Sequence, residues 1–234
     1  MRLAVMVATL LLPIIFLKNT NYKNFLMETC KGNTTIGVFI DGGYYAKINE
    51  ALMGKAGVKI NLTRLFDFIC SRVAMLSGSK HQDTLITECH YFRGRYRAAD
   101  AAELNLLYEE RAFEDSLIEN DVVFHYKHLR KFVTGGETDI MEKGIDVWFA
   151  LEAYELSMIR KFDYVVLVTG DADHEMLARK LNAVKIKTVL LTWNLGSHSS
   201  TSRLLHDEAW HHIELKNECK KDASLMSRIC DRVE

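Results

Sequence analysis

Proline is nearly missing from this chain. Its 234 residues include one, Pro13, where average usage of ~5% would give about a dozen. Past that point no proline interrupts a helix or strand, which suits a run of regular elements and excludes a Pro-rich linker. Cysteine is sparse too. The five, at 30, 70, 89, 219 and 230, are odd in number and form no C-x-x-C. Neither a disulfide framework nor a zinc site has support, and the thiols suit a reducing compartment. Charge of one sign is lacking as well, with 30 Lys+Arg against 31 Asp+Glu and a net charge of −1. A dominant basic footprint is therefore excluded, so contact with nucleic acid has to use a local patch. Apolar residues at 48% and charged residues at 26% exclude a disordered chain and a polytopic membrane protein.

Several nucleotide and hydrolase motifs are missing. There is no G-x-G-x-x-G, no G-x-x-x-x-G-K-[ST], no G-x-S-x-G and no H-E-x-x-H, so dinucleotide, P-loop, α/β-hydrolase and zincin chemistry lack their signatures. A D-x-D phosphatase pattern on the first strand fails because position 43 is Gly.

Behind Arg2, Leu3 to Leu17 is one apolar run, short of the ~20 residues that span a bilayer. It has the shape of a signal-peptide core, but no small-residue cleavage site follows. Residues 1–33 are read as an N-terminal apolar extension, with translation expected to start at Met27; a signal or anchor is the alternative. Residues 34–214 are expected to form one domain, and 215–234 a charged helical tail. The expected location is the cytoplasm.

Between these ends the pattern alternates. Thr35–Ile40, Leu85–Phe92, Val122–Tyr126, Tyr164–Thr169 and Ile186–Thr192 read as strands. Leu62–Leu76, Ala98–Ile118, Ile145–Ile159, Glu175–Leu181 and Ser200–Trp210 read as helices, and Thr134-Gly135-Gly136 as a loop. Strands separated by helices imply βαβ units, a parallel sheet and an α/β class. In such a sheet ligands bind beyond the carboxyl ends of the strands. That rim would gather Asp41 after the first strand, Arg93, Arg95 and Arg97 after the second, Lys127 and Arg130 after the third, Asp171 and Asp173 after the fourth, and Asn194 after the fifth. Asp146 opens the helix leading to the fourth strand. The small residues Ala150, Ala153 and Ser157 on its side would let that helix approach the sheet and bring Asp146 in.

Converging carboxylates repel one another unless a cation is present. Mg²⁺ or Mn²⁺, hard ions that take oxygen ligands and bridge to phosphate, would answer this and support phosphodiester hydrolysis. Ordinary turn and helix-cap aspartates are the competing explanation. The run His90-Tyr91-Phe92-Arg93-Gly94-Arg95-Tyr96-Arg97 interleaves cations and aromatics, the pairing used on single-stranded RNA; a solvated loop after a core strand would look the same.

Phe39-Ile40-Asp41-Gly42-Gly43, Glu142-Lys143-Gly144-Ile145-Asp146 and Val168-Thr169-Gly170-Asp171-Ala172-Asp173 together resemble the NYN domain, in its LabA-like branch, of the PIN-like nuclease superfamily. The similarity spans roughly residues 34 to 214. The resemblance implies a Rossmann-like (PIN-like) three-layer α/β/α sandwich with a parallel sheet in the order 3-2-1-4-5, and metal-dependent ribonuclease activity. Asp41, Asp146, Asp171 and Asp173 would be the catalytic, metal-binding acids, with Mg²⁺ or Mn²⁺ as cofactor. Arg93, Arg95, Arg97, Lys143, Thr169 and His174 would contact substrate. Two positions depart from the family pattern: Tyr44 stands where Asn is usual, and His174 where an aromatic follows G-D-x-D. RNA is the expected partner, a homodimer is compatible with the reading, and no stable membrane partner is expected. The alternatives are a non-catalytic RNA- or nucleotide-binding regulatory module of the same fold and a small-molecule phosphatase.

Overall fold

Among the described residues, the most apolar stretches take the middle of a parallel sheet. The computed structural model describes residues 33–134, 137–196 and 199–233. The apolar run Leu3–Leu17, the start at Met27 and the pair Gly135-Gly136 lie outside the described residues. Strand β1 (Thr34–Asp41) pairs in parallel with β3 (Thr84–Arg95) on one side and β7 (Tyr164–Val168) on the other. Every residue of β7 is buried, as expected of a strand covered on both faces. β4 (Val122–His128), β8 (Lys187–Thr192) and β9 (His211–Glu214) complete the order β4-β3-β1-β7-β8-β9, parallel throughout. Over the five strands expected from sequence this is 3-2-1-4-5. The sixth, β9, corrects that count. His-His-Ile-Glu has one buried residue, too short a pattern to read as a strand.

Helices cover both faces. Alternation along the strands sends Val38, Ile40, Tyr91, Val166 and Val168 into one core, and Phe39, Phe92, Val165 and Leu167 into the other. The first core is closed by α1 (Gly42–Ala56), α2 (Leu62–Ser77) and α4 (Leu107–Glu119), the second by α5 (Ile145–Arg160), α6 (Glu175–Ala183) and α7 (Arg203–Glu208). This is a three-layer α/β/α sandwich.

Four sequence expectations change. The single helix Ala98–Ile118 is two, α3 (Ala98–Glu103) and α4, because Asn105 takes a left-handed turn at φ 57°, which Asn does at low cost. Asp41-Gly42-Gly43 ends a strand as expected, but α1 begins on it at once. The helix Ser200–Trp210 shrinks to α7. The segment expected as a tail is folded into the domain: α8 (Leu215–Lys221) and α9 (Leu225–Ile229) bury Leu215, Leu225 and Ile229, and β10 (Cys230–Arg232) pairs antiparallel with β2 (Val58–Ile60). A further antiparallel pair, β5 (Arg130–Thr134) and β6 (Glu137–Met141), flanks positions 135–136.

Candidate active site

The two central strands end side by side, with Ile40 opposite Val168. The next residues are therefore neighbours. Asp41 Oδ1 accepts the Tyr44 N–H at 3.0 Å and so caps α1, while Oδ2 accepts the Thr169 hydroxyl at 3.0 Å. The Thr169 oxygen also accepts the Asp171 N–H at 3.2 Å, and Asp171 Oδ1 accepts the Asp173 N–H at 3.0 Å. One chain of hydrogen bonds thus links the D-G and G-D-x-D segments. Their glycines are fixed by crowding. A Cβ on Gly42 would stand 2.6 Å from the Phe92 carbonyl oxygen, and one on Gly170 would stand 2.7 Å from that of Ser200.

Asp146 comes from the first turn of α5. That helix does approach closely on small residues, with Ala153 and Ser157 fully buried. Asp146 lies within electrostatic reach of Asp41, Asp171 and Asp173. Its carboxyl titrates above the ordinary range because neighbouring protein displaces water; the three aspartates add to this and His174 opposes it. Glu142, quoted within a motif but given no role in the sequence reading, belongs to the same group. Its Oε1 accepts the Gly94 N–H at 2.8 Å. Its carboxyl is raised first by desolvation, which the Gly94 bond opposes, and then by Asp41 and Asp146. The long separation between 94 and 142 hides that contact from sequence patterns.

The expected substrate-contacting residues divide. Arg93, Arg97 and Lys143 are exposed. Arg95 instead bonds Glu114 at 2.9 Å and lies over the Tyr126 ring at 5.4 Å. Thr169 is fully buried and donates its hydroxyl to Asp41. His174 is 1% exposed, with its ring centroid 4.3 Å from that of Phe149. It fills the aromatic slot and its ring is not open to solvent. Burial lowers its pKa against the pull of the four aspartates. Tyr44 is also structural: its hydroxyl donates to the Ser199 carbonyl at 3.3 Å and accepts the Trp193 N–H at 3.1 Å. Burial pushes that phenol up to about 12.

The donor set is carboxylate oxygen, the chemistry that hard divalent cations select. Among the described residues no three His, Cys, Asp or Glu side chains stand close enough to form a ready metal cage. The fit therefore rests on donor type and on the repulsion at Asp146 and Glu142 that a cation would relieve. Among the described residues no helix is long and apolar enough to cross a membrane.

A family model, the NYN domain, matches residues 35–216. No curated protein and no solved structure matches the chain.

Proposed function

This chain belongs to the NYN-domain family, a branch of the PIN-like nuclease superfamily whose members act on RNA, and on that premise we propose that it is a divalent-metal-dependent ribonuclease of LabA-like type. What supports the reading is the hydrogen-bonded link from Asp41 through Thr169 to the Asp171 backbone at the carboxyl ends of the two central strands, with Asp146 and Glu142 within electrostatic reach of it. Asp41, Asp146, Asp171 and Asp173 would hold Mg²⁺ or Mn²⁺, which when bound supplies positive charge for the phosphate undergoing attack.

The chain's own groups do the rest. Thr169 fixes the Asp41 carboxylate through its hydroxyl. Glu142, held by the Gly94 N–H through Oε1 and with its carboxyl raised by desolvation, takes a proton from the attacking water. Arg93, Arg97 and Lys143 pair with backbone phosphates along the rim. The free thiols of Cys70, Cys89, Cys219 and Cys230 agree with a cytoplasmic setting.

A second reading is a regulatory RNA-binding module. It draws on the absence, among the described residues, of a closed ligand cage. Purified full-length protein incubated with labelled RNA, with and without Mn²⁺, separates the two. Cleavage that requires Mn²⁺ and fails in Asp41→Asn supports the enzyme; binding with no cleavage under any metal supports the module.

A further inference from the structure

Side chains alternate between the two faces along β3 and β4, and that alternation decides which rim cation leaves the sheet beside the acidic group. Phe92 and His125 are partners in the ladder and stack at 4.3 Å between ring centroids, on the face that α5 covers. Arg93 and Arg95 therefore leave on the opposite face. There Arg95 bonds Glu114, and Arg93 bonds the Tyr91 hydroxyl and senses Glu142 by charge. The next ladder pair, Gly94 and Lys127, returns to the α5 face. Gly94 has no side chain to place there and gives its N–H to Glu142 at 2.8 Å. Of the Lys and Arg residues on these two strands, Lys127 is the one whose side chain departs on the acidic side.

The far end of that side chain lies against the start of α5. A Cβ on Gly144 would stand 3.1 Å from Lys127 Nζ, so the glycine of Lys143-Gly144-Ile145-Asp146 leaves the space that the lysine fills. Its φ of 77° also suits glycine better than other residues. Glu142 and Asp146 stand two positions before and after Gly144, which brings the ammonium to the edge of the acidic group. Among the described residues Lys127 nevertheless forms no ion pair and no side-chain hydrogen bond. Arg95, Arg160 and Arg179 each bond a glutamate instead. Lys127 is exposed, and its charge sits on a flexible four-carbon stem. It is uncommitted within the fold and open to an anion that comes in from solvent.

We propose that Lys127 is a catalytic residue that holds a non-bridging oxygen of the phosphate under attack. The proposal rests on the ribonuclease reading and adds to it a group that meets the reacting phosphate itself. Attack forms a bond from the water oxygen to phosphorus and breaks the bond to the leaving oxygen. Glu142 takes the water's proton, and the leaving oxygen takes one from solvent. Lys127 exchanges no proton. It supplies positive charge to oxygens that are most negative at the transition state, so its effect falls on the rate. Arg93, Arg97 and Lys143 meet phosphates that do not react, and their effect falls on affinity.

The test compares full-length wild type, Lys127→Met and Lys127→Arg. Three measurements are made: single-turnover cleavage of RNA by saturating protein with Mn²⁺, RNA binding in a chelating buffer, and Mn²⁺ titration without RNA followed by thermal melting. Lys127→Met should cleave at least ~10-fold more slowly, with RNA affinity changed by less than ~3-fold. Lys127→Arg should recover most of the rate. Lys127→Met should also bind Mn²⁺ more tightly than wild type, because a like charge has left its neighbourhood. Weaker Mn²⁺ binding and a lower melting temperature would instead mark a lysine that supports the fold, and would overturn the proposal. A wild-type rate in Lys127→Met would overturn it too and leave the ribonuclease reading standing. A wild-type protein that cleaves no RNA with Mn²⁺ or Mg²⁺ would remove both.

Discussion

The Thr169 hydroxyl donates a hydrogen bond to Asp41 across the junction of the two central strands, at 3.0 Å, and its oxygen accepts the N–H of Asp171 at 3.2 Å. A single fully buried side chain therefore ties the Asp41 carboxylate to the Asp171 backbone, two segments that lie far apart in sequence.

Replacing Thr169 with Val keeps the volume and removes both bonds. The fold should lose about 1–2 kcal/mol, because the Asp171 N–H is left without its acceptor. Single-turnover cleavage should fall about 10-fold as Asp41 loses its fixed orientation. Thr169→Ser should restore most of both. Thermal melts and quenched-flow cleavage of the three proteins give the comparison, and a Val variant with wild-type turnover would show that this bond does not position the carboxylate.

Asp41→Asn or Asp171→Asn should lower the cleavage rate at least ~100-fold, the scale of losing about 3 kcal/mol of transition-state stabilisation. RNA affinity should hold or rise slightly as negative charge leaves the rim. Arg93→Ala with Arg97→Ala should do the opposite, weakening binding and flattening its salt dependence with a smaller loss at saturating RNA. Arg95 is left out of that pair because its ion pair with Glu114 makes it part of the fold.

Asp146→Asn should stabilise the protein in a chelating buffer at neutral pH. The sign follows from linkage. A carboxyl raised in the folded state costs stability above its folded pKa, and the cost disappears as pH falls through that pKa towards the unfolded value. The melting temperature of the variant should therefore exceed wild type at pH 7, and the gap should close on acidification. Adding millimolar Mn²⁺ should raise the wild type more than the variant. Equal shifts in both would mean that Asp146 takes no part in holding the ion.

A second pH effect lies away from the site. His90 Nδ1 meets His125 Nε2 at 2.9 Å, and burial lowers the pKa of both rings. Below about 6.5 the unfolded chain takes up protons that the folded pair resists, so stability should fall with pH. His125→Phe keeps the stack on Phe92, 4.3 Å between centroids, and removes one of the two groups. Its unfolding free energy, from denaturant titrations between pH 7 and 5, should decline less steeply, by up to ~1.4 kcal/mol per pH unit.

The parallel sheet was legible because its strands are apolar runs, and so were the carboxylates that the topology puts at their ends. Periodicity found α2, whose buried Leu65, Ile69 and Val73 recur at three or four. It passed over α1, where two glycines at the start mask a helix whose real signal is the Asp41 cap. Glu142 could not be ranked above other acids, since its place depends on a backbone donor 48 residues away. Arg95 and Thr169 carry the right chemistry for a ligand, yet one is spent on Glu114 and the other is sealed beneath Asp41. Exposure is a property of the packed layers, and residue type alone does not report it.

The closing strand has a consequence for the order of events during synthesis. Cys230–Arg232 lies along Val58–Ile60, Asn61 donates its N–H to the Ile229 carbonyl at 2.9 Å, and Arg64 pairs with Asp231. The region 58–69 therefore waits for the segment 225–232 to be made before one edge of its core is covered. Until then Leu62, Leu65 and Ile69 lack the neighbours supplied by Leu225 and Ile229. An apolar seam on α2 therefore stays open in the nascent chain until the segment 225–232, more than 150 residues downstream, arrives to close it.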